Sequence, residues 1–280
     1  MPPVVALRAP AADNRRVDGW EIVRRAAADR RSGAAEIATV AAEGLALLGA
    51  RRDVARAARH LVRAHPAMAP LWRLGASTLS AKDHRDAARR FGEQLAVEAE
   101  GVARAAEWAL PRRAVVITHS ASSNVAAALT AHRARVARVF CTVSLPGGEG
   151  RAFARRLSRA GLDATVVADA AVGRVCEDAD VALVGADAVT DEAAVNKVGT
   201  TPLALAAQHA EIGFYVLAGT SKFVPSRVWR PEAAPAYEAT PLALVDAVIT
   251  ERGPMGTAAI RRAVRHLELP RALTARKAPR

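Results

Sequence analysis

The sequence predicts an α/β protein in which a helical N-terminal domain, residues 1–110, precedes a mostly parallel sheet domain, residues 111–256. Two patterns carry that prediction. From about residue 18 to residue 109 apolar residues recur at helical intervals, as Ala88, Phe91, Leu95, Ala96, Ala99 and Val102 do within 86–108. From Pro111 onward, short apolar runs alternate with helical stretches. That alternation implies right-handed crossovers joining parallel strands. A hydrophobic content of 51% over 280 residues excludes a disordered chain and suffices for a sizeable core.

In chain order, the helical part is rich in Ala, Leu, Arg and Glu, all favourable helix formers. Breaks are expected near Arg31-Ser32-Gly33, Gly49, His65-Pro66 and Gly75-Ala76-Ser77. Buried strands are expected at Ala114–Thr118, Val139–Val143, Ala164–Ala168, Val181–Val184 and Phe214–Leu217, with helices at 123–133, 150–160 and 201–210 between them. A basic C-terminal helix or tail, residues 257–280, closes the chain.

Charge and composition narrow the function classes. The net charge is +12, and residues 261–280 hold seven Arg/Lys against one Glu, so half of the excess lies there. A basic tail can meet phosphate backbones, but a solvated helix end is its commoner use, which leaves nucleic acid as the weaker partner. Aromatic residues are only 4%, so no aromatic platform for bases or sugars is advertised. The 68 alanines and the four lysines (Lys82, Lys197, Lys222, Lys277) indicate a compositional bias that discounts single arginines and makes each lysine informative. Cys141 and Cys176 exclude a disulfide framework or cysteine-based zinc cluster and fit structural burial. The histidines show no metal spacing, so neither metal nor cofactor is expected. The first residues lack the apolar stretch of a signal peptide, and no run approaches the roughly 18 apolar residues of a membrane span. A cytoplasmic protein with no membrane partner is the expectation.

Parallel sheets place ligands beyond the carboxyl ends of their strands. After the first expected strand comes Thr118-His119-Ser120-Ala121-Ser122-Ser123-Asn124, whose hydroxyls and helix N-terminus suit an anion, or equally supply N-caps. After the second comes the glycine-rich turn Ser144-Leu145-Pro146-Gly147-Gly148-Glu149-Gly150-Arg151, again suited to phosphate. After the fourth come Asp187, Asp191 and Glu192, followed by Asn196-Lys197-Val198-Gly199 at the start of the next helix. A carboxylate facing an Asn-Lys pair suits acid–base work on an anionic ligand; Asp187 is the candidate, with Asp191 and Glu192 read as solvated loop charge. Ser221 and Lys222 follow the fifth strand and suit an anion as well.

The stretch VGADAVTDEAAVNKVGTTPLALAAQHAEIGFYVLAGTSKFVP resembles the signature region of the eukaryotic translation initiation factor 2B alpha/beta/delta family, which includes ribose-1,5-bisphosphate isomerase and methylthioribose-1-phosphate isomerase. Tyr237-Glu238-Ala239-Thr240-Pro241 and Val248-Ile249-Thr250-Glu251-Arg252-Gly253 resemble its closing motif, so the likeness covers about residues 110–256. It implies a helical domain on a Rossmann-like domain, a homodimer, and a pocket for a sugar phosphate or nucleotide phosphate. In the isomerases a cysteine after Thr-His and the aspartate of Gly-Ala-Asp perform the acid–base chemistry. The aspartate carries over onto Asp187; Ser120 stands at the cysteine position. An acidic-x-Arg-Pro motif after the second strand is replaced by Val143-Ser144-Leu145-Pro146, which removes both acid and arginine.

The expectation is a family member binding a phosphorylated metabolite, related to ribose-1,5-bisphosphate isomerase but with altered aldose–ketose chemistry. Its expected catalytic residues are Asp187 and Ser120. Its expected phosphate-binding residues are His119, Ser122, Ser123, Gly147, Gly148, Arg151, Asn196, Lys197 and Lys222. The alternative is a non-catalytic, translation-initiation-like regulatory subunit that senses such a metabolite.

Overall fold

A computed structural model describes residues 18–228 and 236–274. Among the described residues, five α-helices come first: α1 (Gly19–Ala28), α2 (Ala34–Leu47), α3 (Arg51–Ala64), α4 (Ala69–Ser80) and α5 (His84–Ala105). Their starts follow from local chemistry. The Asp18 carboxylate accepts from the Trp20 amide, and Asp83 accepts from those of Arg85 and Asp86, satisfying orphan donors of α1 and α5. The break expected at Gly75-Ala76-Ser77 does not occur. Gly75 lies inside α4, where a Cβ would meet Leu273 at 3.0 Å and Ala58 at 3.3 Å, so close packing explains this glycine.

A seven-stranded sheet follows, built from β1 (Ala114–Thr118), β2 (Val136–Thr142), β3 (Ala164–Val167), β4 (Val181–Gly185), β7 (Gly213–Leu217), β9 (Ala247–Thr250) and β10 (Gly253–Met255). Its order is β10-β9-β7-β4-β1-β2-β3, parallel except for the β9–β10 hairpin. Both faces are covered, which is why the strands read as unbroken apolar runs. Val181 and Leu183 join the core under α6 (Ser123–Ala131) and α7 (Glu149–Arg159). Ala182 and Val184 point to the other face, under α8 (Val172–Cys176), α9 (Thr200–His209) and α10 (Thr257–Arg265).

A second sheet, β5 (Ala188–Val189), β6 (Ala193–Lys197) and β8 (Tyr237–Pro241), is antiparallel and was not expected from the sequence. Asn196 and Lys197 therefore end a strand rather than open a helix. Ala188, Val195 and Val224 belong to the same apolar core as α1–α5, as does Leu273 in the short α11 (Arg271–Thr274). The small sheet thus fastens the helical layer to the end of the large one. Among the described residues no helix is long and apolar enough to cross a membrane.

Candidate functional site

The large sheet reverses its strand order between β1 and β4: β2 and β3 lie to one side, β7 and β9 to the other. The crevice at such a reversal is where parallel sheets hold ligands. Ser120 follows β1 and Asp187 follows β4, one on each lip. The lips approach closely, since a Cβ on Gly185 would collide with Ser122.

The β1 lip is held by a chain of interior hydrogen bonds. His119 is 2% exposed, and both of its ring nitrogens have partners: the Val198 carbonyl at 2.9 Å and the Thr142 hydroxyl at 2.7 Å. Thr142 meets Ser144 Oγ at 3.0 Å, and Ser144 Oγ accepts from the Ser120 amide at 2.8 Å. Asp169 receives the amides of Ser144 and Leu145, each at 2.7 Å. Ser120 and Ser144 both have φ of 66°, a left-handed conformation unusual for residues other than glycine. This network holds the Ser120 turn in that conformation. Burial lowers the pKa of His119, and its two ring-nitrogen partners make it a support for the loop.

From that turn, Ser120 donates to Glu149 Oε1 at 2.8 Å. Glu149 opens α7 behind left-handed Gly148 (φ 71°), where the positive end of the helix dipole favours a carboxylate. Lys197 Nζ lies 3.0 Å from Glu149 Oε1 and 3.2 Å from Oε2. Gly147 makes room for the pair: its added Cβ would sit 2.9 Å from Lys197 Nζ and collide with Glu149.

On the β4 lip, the Asp187 amide donates to Val195 at 2.8 Å, and its carbonyl accepts from Ala69 at 2.9 Å, fixing it between β6 and the start of α4. Burial raises its carboxyl pKa to about 6; the charge of Lys222, then of Lys197, opposes that shift, and Glu149 adds to it. Lys222 is 6% exposed, with its pKa lowered by burial against the pull of Asp187, Glu98 and Glu36. Glu98 reaches in from α5 to accept from the Ser221 amide at 3.1 Å, so the helical layer helps to set the field around Lys222. The hydroxyl of Tyr237, on β8, is raised in pKa by burial first and by Asp187 next.

The structure therefore gathers Ser120, Lys197, Lys222 and Asp187 into one charged constellation, with Gly147 and Gly148 shaping the loop beside it. Ser122 Oγ accepts from the Val125 amide at 3.4 Å, and Ser123 is the first residue of α6, so these two serve the helix start. Asn196 is buried and donates to Thr200 at 3.1 Å, which ties the end of β6 to the first turn of α9. Arg151, in the first turn of α7, lines a groove along that helix with Arg155 and Arg159. Burial pushes the thiols of Cys141 and Cys176 up to about 12 and about 11, so neither supplies a thiolate. Sequence reasoning missed Glu149, Glu98 and Tyr237. Glu149 left a signal as the sole acid in a glycine-rich turn, and Tyr237 as the first residue of the closing motif; Glu98 left none.

A helical layer fastened to a doubly covered parallel sheet, with acid and lysine groups meeting at the strand-order reversal, defines an α/β protein with a charged crevice at the carboxyl ends of its strands. The chain belongs to the initiation factor 2 subunit family, whose sequence profile matches residues 30–235. It is 34% identical over 220 residues to a Pyrococcus horikoshii protein named as eIF-2B subunit 2-like, covering 74% of this chain and 79% of that one. It is also 34% identical over 140 residues to the ribose 1,5-bisphosphate isomerase of Methanocaldococcus jannaschii, covering 41% of this chain and 46% of the isomerase. Among solved structures, the eIF-2B protein of Pyrococcus horikoshii OT3 superposes with a TM-score of 0.76 at 27% identity, over 85% of this chain and 96% of that one.

Proposed function

We infer that the crevice between β1 and β4 binds a phosphorylated small molecule, a sugar phosphate or nucleotide phosphate, and that its chemistry is a weakened aldose–ketose isomerisation. The observation that carries this reading is the Ser120–Glu149–Lys197 chain lying within the electrostatic reach of Asp187. Aldose–ketose exchange moves a hydrogen between adjacent carbons without net oxidation, so it needs groups that take and return protons. With a pKa of about 6, Asp187 reaches both protonation states near neutrality. A serine hydroxyl alone is a poor proton carrier, and Glu149 is the base beside it. Lys197 and Lys222 supply the positive charge that a phosphate requires. A homodimer is part of this reading, by resemblance to the family.

The exposed Leu145 favours a second reading. It occupies the position that resembles the arginine of the isomerases, and a leucine there offers a phosphate no charge. A crevice that binds without turnover suits a regulatory subunit sensing a phosphometabolite. Calorimetry with ribose 1,5-bisphosphate tests binding. A ketose-forming assay on wild type and on the Ser120→Cys, Leu145→Arg double variant then separates the two readings. Binding with little wild-type turnover and a gain in the double variant supports the weakened enzyme; binding with no turnover in either supports the sensor. No saturable binding of ribose 1,5-bisphosphate or of a nucleoside monophosphate overturns both.

A further inference from the structure

We propose that the groove between α1 and α3 on the helical layer is a binding site for single-stranded nucleic acid. On α3, Arg56, Arg59, His60 and Arg63 recur at intervals of three, one and three residues along one face, while Val54, Ala57, Ala58, Leu61 and Val62 bury the other. Seven residues of helix set Arg56 and Arg63 about 10 Å apart along the axis, a span suited to successive contacts with an extended polyanion. Trp20 and Arg24, one turn apart on α1, form the facing wall of a groove of about 520 Å³.

Charge and shape together favour this occupant. Among the described residues, acids reach two of the groove's arginines, through long contacts: Asp18 to Arg24 at 3.8 Å and Asp53 to Arg56 at 3.6 Å. Arg59 spends one 3.4 Å bond on the Ala272 carbonyl, and Arg63 has no partner among the described residues. That bond also joins the groove to α11, which reaches α3 from a distant part of the sequence. The Arg56 guanidinium lies over the Trp20 ring at 4.5 Å, a flat cationic-aromatic surface of the kind on which bases stack. The arginine groove on α7 has the same charge but no aromatic ring, so it lacks half of this chemistry. An acidic polypeptide would answer the charge but leave the stacked surface unused.

Fluorescence anisotropy of the full chain with a labelled oligouridine, measured across a salt series, tests the site. Wild type should bind saturably at low salt. Arg59→Ala/Arg63→Ala should weaken binding at least ten-fold and flatten the salt slope by about 1.4, since each lost phosphate contact on a single strand removes about 0.7. Trp20→Leu should weaken binding about five-fold or more with the slope unchanged. Arg155→Ala/Arg159→Ala, an equal loss of charge on α7, should stay within two-fold of wild type. The proposal is overturned by absent wild-type binding, by an equal loss in the α7 variant, or by polyglutamate displacing the probe as well as unlabelled oligouridine does.

Discussion

Asp187 and Glu149 face one crevice from opposite lips, and their surroundings differ. Glu149 is partly open to solvent and held by direct contacts, a serine hydroxyl at 2.8 Å and a lysine at 3.0 Å. No hydrogen bond among the described residues reaches the Asp187 carboxylate, and its lysines act on it through space. Burial therefore outweighs the neighbouring charge at Asp187 and raises its pKa to about 6. One carboxylate sits in a polar chain of direct contacts, the other where burial is the stronger influence. Where two acids share a site, such a difference in surroundings assigns the roles.

The comparison is broken most sharply at Asp187. If it is the proton carrier, Asp187→Asn should cut ketose formation by about 10²–10⁴-fold, the usual scale for a positioned acid or base. The assay is run in whichever background turns over faster, wild type or Ser120→Cys/Leu145→Arg. Activity within a few-fold of the parent would move the role to Glu149. Next in size, Lys197→Ala should weaken ribose 1,5-bisphosphate binding by about 1–3 kcal/mol, the scale of a charge-assisted hydrogen bond. Unchanged calorimetric affinity would mean that Lys197 serves only to hold Glu149.

Stability against pH gives a third test, with a definite sign. Because folding raises the Asp187 pKa from 3.8 to about 6, the unfolded chain ionises first as pH rises. The folded state is thus favoured below about pH 4 and loses stability as pH climbs through about 6. Each pKa unit is worth about 1.4 kcal/mol, so the full shift approaches 3 kcal/mol, and about 2 kcal/mol after allowing for the partial opening of the site. Asp187→Asn should therefore match wild type near pH 4 and exceed it near pH 8 when unfolded by urea. A gap that is constant across pH would show that Asp187 does not titrate in this window.

The contrast between the two lips also shows what the sequence made legible. Strands such as Val181–Gly185 are readable because burial on both faces demands unbroken apolar runs. Asp187 is readable because it ends such a run. The β5–β6–β8 sheet is not, because Ala193–Lys197 pairs with Tyr237–Pro241 some forty positions later and has no alternation of its own. Gly75 reads as a break because its reason for being glycine, Leu273, is nearly two hundred residues away. His119 and Asn196 read as ligands because polar residues at strand ends face solvent by default. Only the fold reveals that they meet Thr142, Val198 and Thr200 inside the protein. Glu149 is likewise invisible as a partner of Ser120 until α7 brings its first turn against the β1 loop.

The smallest effect is the most specific to the pairing of the two acids. Glu149 raises the Asp187 pKa, so removing its charge should lower that pKa even though Asp187 itself is untouched. Glu149→Gln keeps the length of the side chain and an oxygen that can accept from Ser120, so the loop should hold its shape. It also frees Lys197 from its ion pair, and that released positive charge pulls the same way. Both consequences favour the ionised form of Asp187, and together they should move its titration downward by less than one unit. Lys222→Met removes the larger opposing charge and should move the titration upward. Carbon-13 NMR of the Asp187 carboxyl, assigned by its loss in Asp187→Asn, reads both shifts directly. Opposite displacements in the two variants would establish that the lips share one electrostatic field. A titration unmoved by Glu149→Gln would mean that the crevice is two separate sites and that Ser120 and Asp187 do not act on one ligand.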